Sequence, residues 1–536
     1  MPEPASPAST AENLRAARAP ALHEARGILP LPRTLAFAGA ALSGLLYWLG
    51  FAGMDVWPLS LIAFVPLLVS IHRQTPKQAL FLGVVAGATM NLAGFYWLQE
   101  MLVTFSGFPA AICFFFVLLV CIYQGGRIGL LGWLYARATA RGWPAYPMFA
   151  AAFVASELLY PLLFPWYFAA GVHGQPLLTQ TAELGGPILV GLVVLLANFI
   201  VAEPLLARAE RRTPSVRLVG ACAAMFVAAL GFGFARIASV DARVEQAEEA
   251  HVGIVQGNMG LMQKREDPSE GLRRHQRLSV ELKERGVDFV VWSESAVTFA
   301  VPESMAEGFM RDRVARRIEM PAIFGAVLFR RGPDEERWFN TALATDASGA
   351  ITGRFDKQYL LAFGEYLPFG ESFPILYQWS PNSGRFSPGK TFDPVHLDVR
   401  GTRRAIATLI CYEDIIPSFV NKLVAHGDPE LLVNMTNDAW FGDTIEPWEH
   451  LALAKFRAIE HRRYLVRSTN SGVSAVIDPV GRVVVHGGTF RAEALDAKIR
   501  WLRGRTIYGV VGDIPWYVVA VMVGVFAWVR RPGRPS

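Results

Sequence analysis

Three side chains of different chemistry stand at the ends of apolar runs in the C-terminal half of the chain. Glu294 follows "FVVWS", Lys357 sits in "RFDKQYLLAFGEYLPFG", and Cys411 ends "AIATLI". Acyl transfer through a covalent intermediate needs a nucleophile, a base to take its proton, and positive charge where the oxyanion develops. A thiol with its free pKa of about 8.5 is only a few per cent ionised at pH 7, so a neighbour must activate it. In this reading Glu294 takes the proton of Cys411 and returns it to the leaving group, while Lys357 stabilises the tetrahedral oxyanion. Each residue also has a plainer reading: Glu294 as a capping or solvated acid, Lys357 as a surface cation, Cys411 as a small core hydrophobe. A metal-bound thiol is a third role for Cys411. The four cysteines, Cys113, Cys121, Cys222 and Cys411, include no CxxC pair, which gives a zinc cluster or disulfide framework little support. His450 and His461 lack the HExxH spacing of a zinc site and read as structural. Neither a GxGxxG nor a P-loop occurs.

The elements around these residues read as an α/β domain. "HVGIVQGN" and "VDFVVWSES" are strand-like, and between them Ser269–Gly286 has helical spacing and a glycine stop. Further strands are expected at "PAIFGAVLF", "WFNTALATD", "RRAIATLICYE" and "ELLVNMTND", and a helix at "WEHLALAKFRAIEHRR". Several strands are apolar on both faces, as in sheets covered by helices.

This domain is set in a greasy chain. Of 536 residues 52% are hydrophobic and only 18% charged, against about 25% charged in soluble domains, so a membrane protein is expected. The net charge of +5 does not signal nucleic acid, since no dense Lys/Arg stripe is interleaved with aromatics. Apolar stretches fall near Thr34–Gly53, Trp57–Ile71, Ala79–Leu98, Phe108–Leu134, Tyr146–Phe164, Pro187–Leu206, Leu218–Ile237 and Ile514–Val529, giving about eight spans. Lys and Arg cluster before the first, after the second, fourth and sixth, and after the last, while the intervening short loops carry none. Such alternation places both termini in the cytoplasm and the polar insert on the far side, the periplasm in a bacterium. The division expected is a disordered cytoplasmic tail at 1–33, seven helices at 34–237, the catalytic domain at 238–507, and a last helix with a short tail at 508–536. The tail lacks the apolar core of a signal peptide.

With Glu, Lys and Cys in this order, the domain resembles the nitrilase superfamily. "VVWSESAV", "FDKQYLLAFGEYLPFG", "ICYED", "NMTNDAWFGD" and "WEHLALAKFRAIEHRRYLVRSTNSG", joined to the eight-span frame, make the chain similar to the bacterial apolipoprotein N-acyltransferases. One departure is "WSES", where the family commonly has Trp-Pro-Glu. The resemblance implies a polytopic helical membrane bundle carrying an extramembrane nitrilase-like αββα sandwich, in the bacterial inner membrane. It implies the triad roles above and adds Glu365 as a second acid that orients the site, with support from Asn340, Tyr412 and Glu413. It also implies the substrates: a phospholipid acyl donor and the N-terminal S-diacylglyceryl cysteine of an apolipoprotein, joined by ping-pong transfer through a Cys411 thioester without a metal or diffusible cofactor.

Two other classes fit parts of the sequence. A membrane-tethered amidase would use the same triad with water as acceptor, and a lipid or protein transporter would use intramembrane acids such as Glu157 and Glu203. Those acids are instead expected to snorkel or to bond within the bundle. Phe363, Tyr366, Phe369 and Phe373 crowd the Gly- and Pro-broken segment Leu360–Trp379, and Trp440 and Phe441 a second aromatic turn. The first set either packs into the domain or meets lipid as a lid over the site, and Trp440 and Phe441 either pack the turn or contact substrate.

Overall fold

A computed structural model of the chain describes residues 29–260, 267–332, 336–362, 364–367, 369–370, 372–373, 375–379 and 384–531. Most of the 1–33 tail and Phe363 lie outside them.

The apolar N-terminal part folds as a helical bundle. Among the described residues three helices are long and apolar enough to cross a bilayer: Ala110–Thr139, Ala182–Ala209 and Val216–Gln246. Pro76–Gly94 and Trp97–Thr104, bent by 64° at a short break, pass the same test only as a pair, which would be a fourth crossing if the two form one broken span and not a re-entrant loop. Trp57–Ile71, Ala145–Leu159 and Ile514–Phe526 are shorter apolar helices. A helix of about 14 residues spans roughly 21 Å, less than a hydrocarbon core of about 30 Å. Glycines set close helix approaches: a Cβ on Gly87 would stand 2.6 Å from the Cα of Gly125. That is the small-residue contact through which helices pack in lipid. Phe114, Phe115, Leu119, Val227 and Phe234 point outward from the bundle, an apolar exterior that suits a bilayer. The two intramembrane acids are bonded inside it: Glu157 lies 3.0 Å from Arg127, and Glu203 accepts from Tyr146 and Arg212.

The Val216–Gln246 helix runs past the expected boundary at residue 238 before the first strand begins. Its polar end is held by the domain, Asp241 by Arg482 and Arg243 through the carbonyl of Arg462.

Two sheets follow. The first has the order β13–β1–β2–β4–β5–β6, with β3 also on β4. It comprises β1 (Glu249–Gln256), β2 (Phe289–Trp292), β3 (Val297–Pro302), β4 (Ala322–Arg331), β5 (Glu336–Thr345), β6 (Ile351–Asp356) and β13 (Glu493–Arg500). The second has the order β12–β11–β10–β9–β8–β7. Its strands are β7 (Val395–Val399), β8 (Thr402–Ile410), β9 (Leu431–Thr436), β10 (Leu465–Thr469), β11 (Ala475–Ile477) and β12 (Val483–His486). Side chains of both sheets, among them Val252, Ile254, Val291, Ile406, Leu409 and Val433, share one core between them. The Pro268–Glu284 helix covers the outer face of the first sheet through Leu278 and Leu282. Pro417–Gly427 and Glu446–His461 cover the second, and the four layers are α, β, β, α. Strands β2 and β9 are buried on both faces, which explains their unbroken apolar runs.

The Glu446–His461 helix is also the joint to the bundle. Trp97 donates to Glu449 at 3.0 Å, Lys455 to the carbonyl of His173 at 2.9 Å, and Arg462 to Glu183 at 2.5 Å and Gln180 at 2.6 Å. Leu453, Phe456 and Ile459 extend the bundle's own core into the domain.

Candidate active site

Strands β8, β9 and β10 are parallel, so their C-terminal ends meet at one edge, and β2 brings its own end to the same place in the facing sheet. Cys411 leaves the end of β8, Glu294 lies two residues beyond β2, and Lys357 follows β6 directly. The backbone N–H of Lys357 is fixed to the carbonyl of Asn340 on β5 at 2.8 Å.

Lys357 is buried, and its Nζ stands 2.8 Å from Glu365 and 3.4 Å from Glu294. Asn340 spends both amide hydrogens on the same two acids, Glu294 Oε1 at 2.7 Å and Glu365 Oε1 at 2.8 Å. One ammonium and one amide thus hold two carboxylates in a fixed arrangement. The second oxygen of Glu365 also accepts the N–H of Leu361 at 2.8 Å, which starts the loop. Burial opposes the charge on Lys357, but Cys411, Glu365 and Glu294 outweigh it and hold the ammonium well above the ordinary lysine range. Burial pushes the Cys411 thiol above the ordinary range, and Lys357 pulls it part of the way back.

Cys411 itself sits at φ +55°. Left-handed backbone costs a residue with a Cβ about 1–2 kcal/mol, so something must hold the turn. Glu413 does so: one carboxylate oxygen accepts from Ile410 N–H at 2.8 Å, the other from Gln358 at 2.7 Å and Tyr359 at 3.0 Å. It ties the cysteine turn to the turn after the lysine. Asn434 on β9 adds a bond from Nδ2 to the Cys411 carbonyl at 2.9 Å. Tyr412 donates to the carbonyl of Leu360 at 2.9 Å, and its ring centroid is 5.8 Å from the lysine ammonium.

The turn at Glu294 accommodates the "WSES" departure. The Ser293 hydroxyl lies 3.2 Å from His275 Nε2, and Ser295 takes φ +49°. Gly325 on β4 lies beneath it: a Cβ there would meet Ser295 N at 2.5 Å and the Cα of Glu294 at 2.8 Å. Sequence reading passed over this glycine, because only the strand pairing shows what it supports.

Among the loop aromatics the structure separates two groups. Phe369 and Phe373 are 75% and 59% exposed, and Tyr366 is also exposed. Phe441 packs edge-on against Trp97 of the bundle at 5.0 Å, whereas Trp440 beside it is partly exposed.

Behind Cys411 lies a charged cluster whose joint arrangement could not be read from the sequence. His450 donates from Nε2 to Asp414 at 2.8 Å and faces Asp438 through Nδ1 at 3.3 Å. Arg467 reaches Asp414 at 2.6 Å, Asp438 at 3.2 Å and the Asn434 amide oxygen at 2.8 Å. Asp438, Glu446 and His450 have ligand-type atoms within 4.8 Å of one another, the spacing of a cation site. Arg467 already supplies a positive charge there, so the group reads as a closed ion network. Asp414 and Asp438 belong to "ICYED" and "NMTND", but nothing local indicates that they share a histidine and an arginine.

The sandwich and the grouping of acid, lysine and cysteine at its strand ends define the class: a carbon-nitrogen hydrolase domain mounted on a membrane bundle. The carbon-nitrogen hydrolase family matches residues 251–505, and the apolipoprotein N-acyltransferase N-terminal domain matches residues 43–200. An apolipoprotein N-acyltransferase of Azotobacter vinelandii is 30% identical over 511 residues, covering 92% of this chain and 94% of that protein. One of Geobacter metallireducens is 29% identical over 505 residues, covering 92% and 95%. An amidase of Nesterenkonia from the nitrilase superfamily, a solved structure, aligns over 48% of this chain and 93% of its own at 18% identity, with a TM-score of 0.35. The chain belongs to the apolipoprotein N-acyltransferase family, and is an acyltransferase.

Proposed function

We propose that the protein transfers an acyl chain from a phospholipid to the α-amine of an apolipoprotein's S-diacylglyceryl cysteine, through a thioester on Cys411. The observation that carries this reading is the Lys357 ammonium shared between Glu294 and Glu365 at the strand ends that also deliver Cys411. Glu294 removes the thiol proton as sulfur attacks the ester carbonyl, and the tetrahedral oxyanion forms against Lys357. Collapse expels the lysophospholipid, whose oxygen takes the proton from Glu294. The acceptor amine then attacks the thioester, gives its proton to Glu294, and leaves an amide and a restored thiol. Glu365 and Asn340 hold Lys357 and Glu294 in place throughout, and Glu413 and Tyr412 fix the turn that presents the sulfur.

The exposed Phe369 and Phe373 suit a loop whose tip enters the membrane surface, where both lipid substrates are anchored. The loop charges support an inner-membrane protein of about eight spans, with both termini cytoplasmic and the domain in the periplasm. The test is incubation with phospholipid and a diacylglyceryl-cysteine peptide. Lysophospholipid and N-acylated peptide are expected in equal amounts from the wild type, and neither from Cys411→Ala. Free fatty acid without amide would make the protein a hydrolase instead.

A further inference from the structure

Cys411 is gripped from two sides by one buried cluster. Asp414 lies in the same short turn as the cysteine and accepts both His450 and Arg467. Arg467 also fixes the amide oxygen of Asn434, leaving that side chain's nitrogen to hold the Cys411 carbonyl. Every member is buried: Asp414, Asp438, Asn434 and Arg467 are 0–1% exposed and His450 is 6% exposed. A buried network of this kind is stable only while its charges balance.

We propose that His450 is a positioning residue for the acylation of Cys411, acting through Asp414 and Asp438 as the charge that balances the network behind the nucleophile. With a protonated imidazole the cluster holds two cations, His450 and Arg467, against two carboxylates, Asp414 and Asp438. Loss of that proton leaves one uncompensated negative charge beside a sulfur that must itself become negative.

The groups facing His450 are Asp414 from the cysteine turn, Asp438 from the turn after β9, Glu446 from its own helix at 3.9 Å, and Arg467 from β10. Burial and Arg467 draw the imidazole down, yet Asp414 and Asp438 outweigh them and lift it to about 9, so it is charged at neutral pH. Burial, with Asp438 adding to it, raises Glu446 well above the ordinary range, which favours its neutral form. Asp438 also acts directly on Cys411, raising its thiol.

This inference rests on Cys411 being the nucleophile, and the test keeps the two apart. The full-length protein in detergent is alkylated with iodoacetamide across pH 6 to 10, and the Cys411 peptide is followed by mass spectrometry. Acylation by a soluble activated ester is followed alongside. His450→Gln should slow both reactions about tenfold at pH 7.5, the equivalent of moving the thiol up by roughly one pH unit. The KM for the ester should stay constant. Asp414→Asn added to His450→Gln restores neutrality and should recover most of the loss, whereas damage from lost packing alone would accumulate. Asp438→Asn, which removes one of the negative charges that raise the thiol, should shift alkylation the other way and make Cys411 more reactive. It also supplies the test should His450→Gln not fold. Unchanged alkylation profiles in a folded His450→Gln or Asp438→Asn protein, or a double variant slower than His450→Gln, would overturn the positioning role. Amide formation by Cys411→Ala would overturn the nucleophile assignment instead.

Discussion

Asn340→Leu tests the acid pair most sharply, because leucine keeps the heavy-atom branching of asparagine and removes its hydrogen bonds. The asparagine amide donates one hydrogen to Glu294 at 2.7 Å and one to Glu365 at 2.8 Å, while its own oxygen has no partner among the described residues. Leucine therefore removes two donors from buried carboxylates and relieves one unsatisfied oxygen. A hydrogen bond to a charged group contributes about 1.5–3 kcal/mol. If the bond to Glu294 is expressed in its role as base, acylation of Cys411 should slow roughly 10- to 150-fold. Asn340→Asp should be slower still, since it sets a third carboxylate against the other two. Single-turnover acylation by a soluble ester, read by intact mass, measures this step without the lipid-binding steps. A thermal midpoint within a few degrees of wild type shows that the fold persists. Wild-type acylation by a folded Asn340→Leu protein would refute the claim that this amide sets the acids for catalysis.

Glu413→Gln turns an acceptor toward Ile410 N–H into a donor, which should cost about 1–3 kcal/mol at neutral pH. Burial lifts the native carboxyl to about 7 from its ordinary 4.5 despite three backbone donors. The folded protein therefore holds that proton more tightly than the unfolded chain. Wild-type stability should rise relative to Glu413→Gln as pH falls from about 8 to 5, by up to about 3 kcal/mol, measured as the difference in thermal midpoints; a constant difference would remove the buried-acid account. Gly325→Ala should displace the Glu294 turn and lower the acylation rate at least tenfold with a smaller change in ester KM; near-wild-type acylation would show that the turn tolerates the added methyl. Phe369→Ser with Phe373→Ser should slow acylation by bilayer phospholipid at least tenfold more than by a soluble ester, and equal slowing would assign these side chains to bracing the domain.

The placement of Glu294, Lys357 and Cys411 was legible because each follows a strand whose apolar run is visible in the sequence, and strand ends are where a sheet gathers polar groups. Glu365 was reached through resemblance, and its geometry then gave it a partner set in Lys357, Asn340 and Leu361. The cluster of Asp414, Asp438, His450 and Arg467 was not legible, since its members lie on four separate elements and meet only when β8, β9 and β10 align. His450 in isolation read as structural, and spacing along one helix does not reveal partners on other strands. Gly325 was missed for the same reason. The bundle was legible as apolar stretches but not as a number of crossings. Hydropathy does not register the 64° bend between Pro76–Gly94 and Trp97–Thr104, nor the kink at Gly185 and Gly186. Trp516 donates to the carbonyl of Gly185 at 2.8 Å, so the last helix is keyed into that kink by a contact 331 residues distant in sequence.

The central claim is a covalent acyl-enzyme on Cys411, and mass spectrometry of the purified protein tests it directly. After incubation with a phospholipid of defined chain length and no acceptor, the Cys411 peptide should carry that acyl mass, sensitive to hydroxylamine as a thioester is. Addition of a diacylglyceryl-cysteine peptide should then move the same mass onto the peptide amine at the rate of turnover. Amide formed while Cys411 carries no acyl group, or an acyl group on Cys411 that never passes to the amine, would contradict the account.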